Sequence, residues 1–338
     1  MKKKVAIIGA GLQARRRAPA IAADPEYELT LIIDRKEEKA KALAKDYGAH
    51  VSTDWKTAMA DSDIDVVMIL TYPDSHAMMS LAAMEAGKDV LCEKPLSRTE
   101  EEAQTMIETA NRTGRILKCG FNHRFHPAVL EAHRLFAAGE IGRPVFGRAR
   151  YGIAGREGLE REWRSDPKIV SGGQLMEQGI HLVDLFRWFL GDMSRVTGMT
   201  TASHWPMPPP LEDNGFIVMQ NKSGVICSIH SSLTQWINLF EFEIYGAHGS
   251  VTVHGLGTSY GVEKLTISEH DPNGPFASRT IEYRDGDSSW KSEWMEFTRV
   301  IAKRGQPLGN GEDGLKAMQI VNAAYAASRD GRTVHLDN

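Results

Sequence analysis

Two short stretches carry groups that could handle a proton and an oxygen-centred charge. The first is Cys92-Glu93-Lys94-Pro95-Leu96-Ser97. It follows the aliphatic run 90–92, and Pro95 fixes the chain just where Lys94 leaves that run. An ammonium held at such a point can polarise an oxygen and stabilise developing alkoxide charge. The second stretch runs from Gly172-Gly173 to Trp188. On a helix, Glu177, His181 and Asp184 fall at i, i+4 and i+7 and share one face. Histidine suits proton exchange because its ordinary pKa lies near working pH, and a carboxylate one turn earlier can orient its ring. Spacing alone leaves both stretches open. A lysine after a strand is usually solvated, and an exposed Glu–His pair is worth only about 0.2–0.5 kcal/mol. Gly179 inside the second stretch costs about 1 kcal/mol relative to alanine, which makes sense if something approaches its backbone closely.

The elements that must position these groups follow from the periodicity. Short aliphatic runs at 5–8, 29–33, 66–70, 90–92 and 116–119 read as buried parallel strands. Between them, 37–47, 55–60, 75–86 and 99–111 read as helices, the last opened by Thr99 before three glutamates. Strand and helix in alternation give a parallel sheet covered on both faces. Gly9-Ala10-Gly11-Leu12-Gln13-Ala14 is G-x-G-x-x-A, directly after the first strand and opening a helix, the context in which it binds a dinucleotide. Gly9 permits the tight turn, Gly11 lets the backbone meet a pyrophosphate, and Ala14 keeps the helix close to the strand. Leu12 and Gln13 lie in the first helical turn, where the positive helix end receives the phosphates. Asp34 stands twenty positions beyond Ala14 at the end of the next strand, where an acid bonds the adenine ribose hydroxyls. Its charge opposes a 2′-phosphate and favours NAD; Arg35 beside it could accept that phosphate, so NADP stays open. Arg15, Arg16 and Arg17 read as a solvated helix face rather than as phosphate ligands.

After about residue 120 the rhythm changes. Helices are expected at 127–138 and 174–190, then alternating strands at 215–220, 224–233, 240–245, 250–253, 264–269 and 280–283. Helices at 294–304 and 314–327 and a strand at 333–336 close the chain. The fold class is therefore α/β: an N-terminal Rossmann doubly wound parallel sheet over 1–120, then an α+β domain over 121–338 built on an open, mostly antiparallel sheet. The C-terminal helix could pack back on the first domain.

With 338 residues, 42% hydrophobic, 25% charged and a formal net charge of −4, the chain has an ordinary globular balance. Nothing in it points to nucleic acid or a membrane. Three scattered cysteines argue against a disulfide framework, and the apolar N-terminal run is too short for a signal peptide. A cytoplasmic protein is expected. The histidines 204, 230, 248, 254 and 270 lack ligand spacing, so no metal is expected.

Four motifs occur in order: Gly9–Ala14 of the glycine turn, Glu93-Lys94-Pro95, Gly120-Phe121-Asn122-His123-Arg124-Phe125-His126-Pro127-Ala128, and Gly172-Gly173 through Gly179-Ile180-His181-Leu182-Val183-Asp184. Together they resemble the Gfo/Idh/MocA family, which includes glucose–fructose oxidoreductase and inositol dehydrogenase. The resemblance implies that Lys94 is a catalytic lysine and His181 an acid/base group. The family commonly has Asp four residues before the histidine; here it is Glu177, one methylene longer. Thr71-Tyr72-Pro73-Asp74-Ser75-His76 is similar to a loop that lies along the cofactor, and Trp163-Arg164 resembles a segment that closes over nicotinamide. Thr71, Tyr72, Pro73, His76, Glu93, Lys94, Asn122, Trp163 and Arg164 thus join the glycine turn, Asp34 and Arg35 as expected cofactor contacts. Lys94, Asn122, Arg124, Tyr151, Glu177 and His181 are expected around substrate.

The activity implied is an NAD(P)-dependent transfer of hydride between nicotinamide and a carbinol or keto carbon of a sugar, polyol or sugar derivative. It requires Lys94 and His181 to converge on the reactive face of the nicotinamide. Two other readings use the same fold: a non-enzymatic NAD(P)-binding regulator, and an internal-redox enzyme that keeps its NAD. Retention of both Lys94 and His181 favours an enzyme. Arg143, Arg148, Arg150, Arg156, Arg161 and Arg164 could meet a phosphorylated or nucleotide-linked sugar, but interleaved Glu157, Glu160 and Glu162 favour a mixed-charge surface loop. A homo-oligomer, dimer or tetramer, through the C-terminal sheet is expected from the family's exposed sheet.

Overall fold

The aliphatic runs of the first third become strands of one sheet in the computed structural model, which describes residues 2–275 and 277–336. The chain divides into two units, Met1–Asn122 with Trp290–Leu315, and His123–Ser289 with Lys316–Asn338.

In the first unit the order along the chain is β1 (Lys3–Ile8), α1 (Leu12–Ala22), β2 (Tyr27–Ile33), α2 (Glu37–Ala44), β3 (His50–Ser52), α3 (Lys56–Ala60), β4 (Ile64–Ile69), α4 (Pro73–Glu85), β5 (Asp89–Cys92), α5 (Glu100–Thr113) and β6 (Leu117–Cys119). The strands lie in the order β3-β2-β1-β4-β5-β6, and every pairing is parallel. β3 lies outside the expected strands, since His50-Val51-Ser52 offers no aliphatic run. Thr99 and Glu102 form the expected capping box at the start of α5. Because the strands are parallel, Gly9, Asp34, the 70–71 loop, Glu93-Lys94 and Gly120 all emerge at one edge. That carboxyl edge is where open α/β sheets bind ligands.

In the second unit come α6 (Pro127–Ala137), β7 (Pro144–Ala154), a π-helical turn over Leu175–Gly179, and α7 (Ile180–Leu190). Strands β8 (Met193–Thr201), β9 (Asn214–Asn221), β10 (Ile226–Ser232), β11 (Thr234–Gly246), β12 (Gly249–His254), β13 (Glu263–Glu269) and β14 (Ala277–Tyr283) follow. Further along the chain α8 (Ser289–Lys303) belongs almost wholly to the first unit, α9 (Gly311–Asp330) begins in the first unit and continues in the second, and β15 (Val334–His335) belongs to the second. The nine strands are ordered β14-β13-β12-β11-β7-β10-β9-β8-β15. The pairing of β7 with β10 is parallel and the rest are antiparallel. α8 supplies Trp294, Phe297, Val300 and Ile301 to the core of the first unit, where Trp294 Nε1 donates to Asp24 at 3.0 Å.

Two expectations for the second unit are corrected. The arginine-rich stretch is not a loop in its first part: residues 144–154 form β7, in the middle of the sheet. Its inward positions are small or aromatic (Gly147, Ala149, Tyr151), while Arg148 and Arg150 face outward and pair with Glu243 and Glu241 on β11. The segment expected to be helical, 174–190, is helical throughout, but its first part is wound as a π turn rather than as α-helix, a wider winding common near functional sites.

One face of the nine-stranded sheet carries exposed apolar side chains. Register sets Met199 opposite Phe216 and Ile226 opposite Phe146, with Val218 two residues along from Phe216. Their relative exposures run from 37% to 78%. Among the described residues no helix is long and apolar enough to cross a membrane.

Candidate active site

The dinucleotide half is built from the carboxyl edge of the first unit. Gly9 has φ +100°, and a Cβ there would lie 2.6 Å from the Leu70 carbonyl oxygen, so both backbone and space demand glycine. Asp34 ties this turn to the end of β2: its Oδ2 accepts from Ala10 N at 2.8 Å and its Oδ1 from Lys36 N at 2.9 Å. Gly11 caps α1 in an extended conformation with no side-chain cap, and the first turn holds no carboxylate, so among the described residues no side chain is seen on the helix start. A Cβ on Gly11 would meet nothing within 4 Å. Free space over unbonded, positively polarised amides fits a dinucleotide pyrophosphate. Leu12 is exposed, Gln13 half-buried and Ala14 buried against the sheet. The Arg35 guanidinium lies 5.6 Å over the Tyr72 ring.

The neighbouring loops are tied from inside. Pro73 opens α4 at its first turn, and Ser75 Oγ donates to Thr71 Oγ1 at 2.8 Å. His76, expected beside cofactor, is 1% exposed, with Nδ1 2.9 Å from the Pro95 carbonyl and Nε2 3.2 Å from that of Thr71. It therefore supports the two loops that flank the site. Burial holds its pKa below the ordinary value. Arg17 corrects the reading of a solvated arginine run. Arg15 and Arg16 are exposed, but Arg17 is buried between the carboxylates of Glu93 and Glu293.

In the second unit, α7 carries His181 and Asp184 on one regular turn, both buried. The π turn before it changes the winding between Glu177 and His181. Arg164, in the short 3₁₀ turn Trp163–Ser165, lies 4.3 Å over the Trp163 ring and donates from Nε to Glu177 Oε1 at 3.4 Å. The close approach inferred at Gly179 is Ser231 of β10: a Cβ at 179 would sit 3.1 Å from Ser231 Cβ and 2.7 Å from Leu175 Cδ1.

Arg124, expected against substrate, is instead only 3% exposed and forked onto Asp184, with Nε to Oδ2 at 2.8 Å and Nη2 to Oδ1 at 2.6 Å. This pair pins the 3₁₀ turn Asn122–Phe125 to α7. One consequence is a stacked pair of imidazoles, His123 on His181, with centroids 3.8 Å apart and planes 21° from parallel. Tyr151 of β7 completes the group, 5.2 Å from His123 and 6.4 Å from His181 between ring centroids. Asn122 is buried at the start of the same turn.

Two residues of this group had no assigned role. His123 lies inside the 120–128 motif, and the Arg124–Asp184 fork, sixty positions apart in sequence, brings its turn to α7 beside His181. Glu212 anchors the start of the π turn: its carboxylate accepts from Leu175 N at 2.8 Å, Gly173 N at 3.1 Å and Tyr325 Oη at 3.0 Å. Burial pushes its carboxyl up to about 7 against the pull of those donors. No local sequence signal marks it.

Comparison with known proteins identifies the family. Residues 3–121 match the family described as "Oxidoreductase family, NAD-binding Rossmann fold", and residues 129–252 match the "GFO/IDH/MocA C-terminal domain". The chain is 27% identical over 336 residues to a 1,5-anhydro-D-fructose reductase of Ensifer adhaerens, covering 98% of each protein. It is 27% identical over 350 residues to a D-apiose dehydrogenase of Paraburkholderia graminis, covering 98% of this chain and 89% of that one. A levoglucosan dehydrogenase solved with NADH and levoglucosan superposes with a TM-score of 0.91 over 100% of both chains at 24% identity, a likeness of fold. The chain belongs to the Gfo/Idh/MocA family of oxidoreductases, with the family's NAD-binding Rossmann fold in its N-terminal part.

Proposed function

We propose that this chain is an NAD-dependent dehydrogenase or reductase of CH–OH groups, acting on a sugar, polyol or sugar derivative. The observation that carries the reading is the position of Lys94. It leaves β5 at the same sheet edge that bears the glycine turn of β1 and Asp34 of β2. The relatives named for 1,5-anhydro-D-fructose and D-apiose support a sugar-like substrate.

Bound nicotinamide would supply the hydride acceptor or donor. Gly9, Gly11, Leu12, Gln13 and Ala14 hold the pyrophosphate, and Asp34 takes the adenine ribose. Arg35 and Tyr72 flank the adenosine end. In the oxidative direction His181 takes the proton from the substrate hydroxyl as the carbon bearing that hydroxyl gives up its hydride, leaving a carbonyl. Lys94 donates a hydrogen bond to that oxygen and stabilises its developing negative charge. Glu177 stabilises the imidazolium form of His181, and Arg164 steadies the Glu177 carboxylate. Asn122 and Tyr151 line the substrate. The expected substrate-binding part, residues 121–338, thus narrows to the second unit, His123–Ser289 with Lys316–Asn338, since Trp290–Leu315 belongs to the first.

The same reading extends to assembly and location. The exposed apolar face with Met199, Phe216, Val218 and Ile226 supports a homo-oligomer through the C-terminal sheet. The chain works in the cytoplasm. Lys94→Met tests the core of the proposal: kcat should fall by about 10²–10³-fold, the usual cost of one charge-stabilising donor. NADH binding, followed by fluorescence, should persist. Near-normal turnover in that variant would refute the role of Lys94.

A further inference from the structure

We infer that Arg17 is a positioning residue for Lys94, acting through the Glu93 carboxylate; the inference rests on the reading of Lys94 as the catalytic lysine. Arg17 comes from α1, two turns beyond the glycine turn, yet its guanidinium points inward and is 1% exposed. Its Nε donates to Glu93 Oε1 at 2.7 Å and its Nη1 to Glu293 Oε2 at 2.6 Å. The Trp290 ring lies 4.7 Å from the guanidinium carbon. Gly120 makes room for the pair: a Cβ there would fall 2.8 Å from Arg17 Nη2 and 3.2 Å from Glu93 Oε2. On the far side of Lys94, His76 of α4 holds the Pro95 carbonyl at 2.9 Å. The residues immediately before and after Lys94 are therefore each held by a buried side chain from a different helix.

Energetics favour a positioning role over a purely structural one. Burying an arginine with two carboxylates carries a desolvation cost that an apolar triad would avoid, often with no loss of stability. What the charged triad adds is direction, because the guanidinium fork accepts carboxylates only in a narrow geometry. That direction is passed by one peptide bond from Glu93 to Lys94. With its fork turned inward, Arg17 is not placed to meet a phosphate at the helix start.

Glu93 and Glu293 provide the contrast for a test, since both bond Arg17 and both are buried, but only Glu93 adjoins Lys94. Arg17→Met alone would strand two carboxylates and could unfold the unit, so it is made in a Glu293→Gln background. Glu293→Gln by itself should keep kcat within about threefold. Adding Arg17→Met should lower kcat by about 10–100-fold, as misplacements near 1 Å do. NADH affinity measured by fluorescence titration should change less than about threefold. Arg17→Lys, which keeps the charge and loses the fork, should fold normally and lose kcat in the same direction. Unchanged kcat in Arg17→Lys, or in the double variant relative to Glu293→Gln, would overturn the inference. So would a loss of NADH affinity equal to the loss of kcat, since that marks a phosphate-binding role. Lys94→Met separates the layers. If it abolishes turnover while the Arg17 variants keep theirs, only this inference fails; if it keeps turnover, the reading of Lys94 fails.

Discussion

Removing the Asp184 carboxylate should destabilise the second unit severely. Asp184 is fully buried, and both of its oxygens receive the Arg124 fork at 2.6 and 2.8 Å. The guanidinium is itself almost fully buried, 5.5 Å over the Trp188 ring. Asp184→Ala leaves that cation without its counter-charge in a low-dielectric setting. Losing one partner of a buried pair costs about 3–5 kcal/mol. In a unit of about 150–250 residues each kcal/mol moves Tm by about 2–4 °C, so the expected fall is about 6–20 °C. Asp184→Asn keeps one acceptor and should cost less, about 1–3 kcal/mol. Replacing both partners with leucine removes the stranded charge and should recover most of the loss. Differential scanning calorimetry of the four proteins reads the series. A Tm for Asp184→Ala within about 2 °C of wild type would show that the fork contributes little, and the pinning of His123 onto α7 would lose its physical basis.

Other outcomes follow from the same structure. Glu212 has a folded pKa of about 7 against an ordinary 4.5, so its protonated form contributes stability that is fully present below pH 4.5 and lost as pH rises through 7. At about 1.4 kcal/mol per unit this amounts to about 3 kcal/mol, and the unfolding free energies of wild type and Glu212→Gln from urea titrations should diverge by about that much across the window; parallel pH profiles would contradict it. Asp34 should give a higher kcat/KM with NAD than with NADP, and Asp34→Ser should narrow the gap; a native preference for NADP would refute the assignment.

Much of the first unit could be read directly. Its strands are buried on both faces, so each appears as an unbroken aliphatic run, and the glycine turn and Asp34 are fixed by their distance from those runs. β7 was hidden for a physical reason. Gly147 and Ala149 on its inward face are too small to give an apolar signal, while Arg148 and Arg150 on the outer face dominate its composition. Arg17 looks in sequence like its solvated neighbours because its partners, Glu93 and Glu293, lie 76 and 276 positions away, and nothing local separates it from Arg15 and Arg16. The same holds for Arg124, whose fork is decided by the approach of α7. The π turn leaves no mark in the sequence because Leu175, Leu182, Leu185 and Phe186 fit an ordinary helical period; Gly179 signals close packing, and Ser231 supplies it.

The central claim is that Lys94 and His181 act on one substrate oxygen. A crystal structure of the wild-type chain with NADH and a slowly reacting polyol tests it most directly. The account predicts the Lys94 ammonium and the His181 imidazole each within about 3 Å of the same carbinol oxygen, with nicotinamide C4 against its carbon. A complex in which either side chain contacts a different substrate atom, or none, would contradict it.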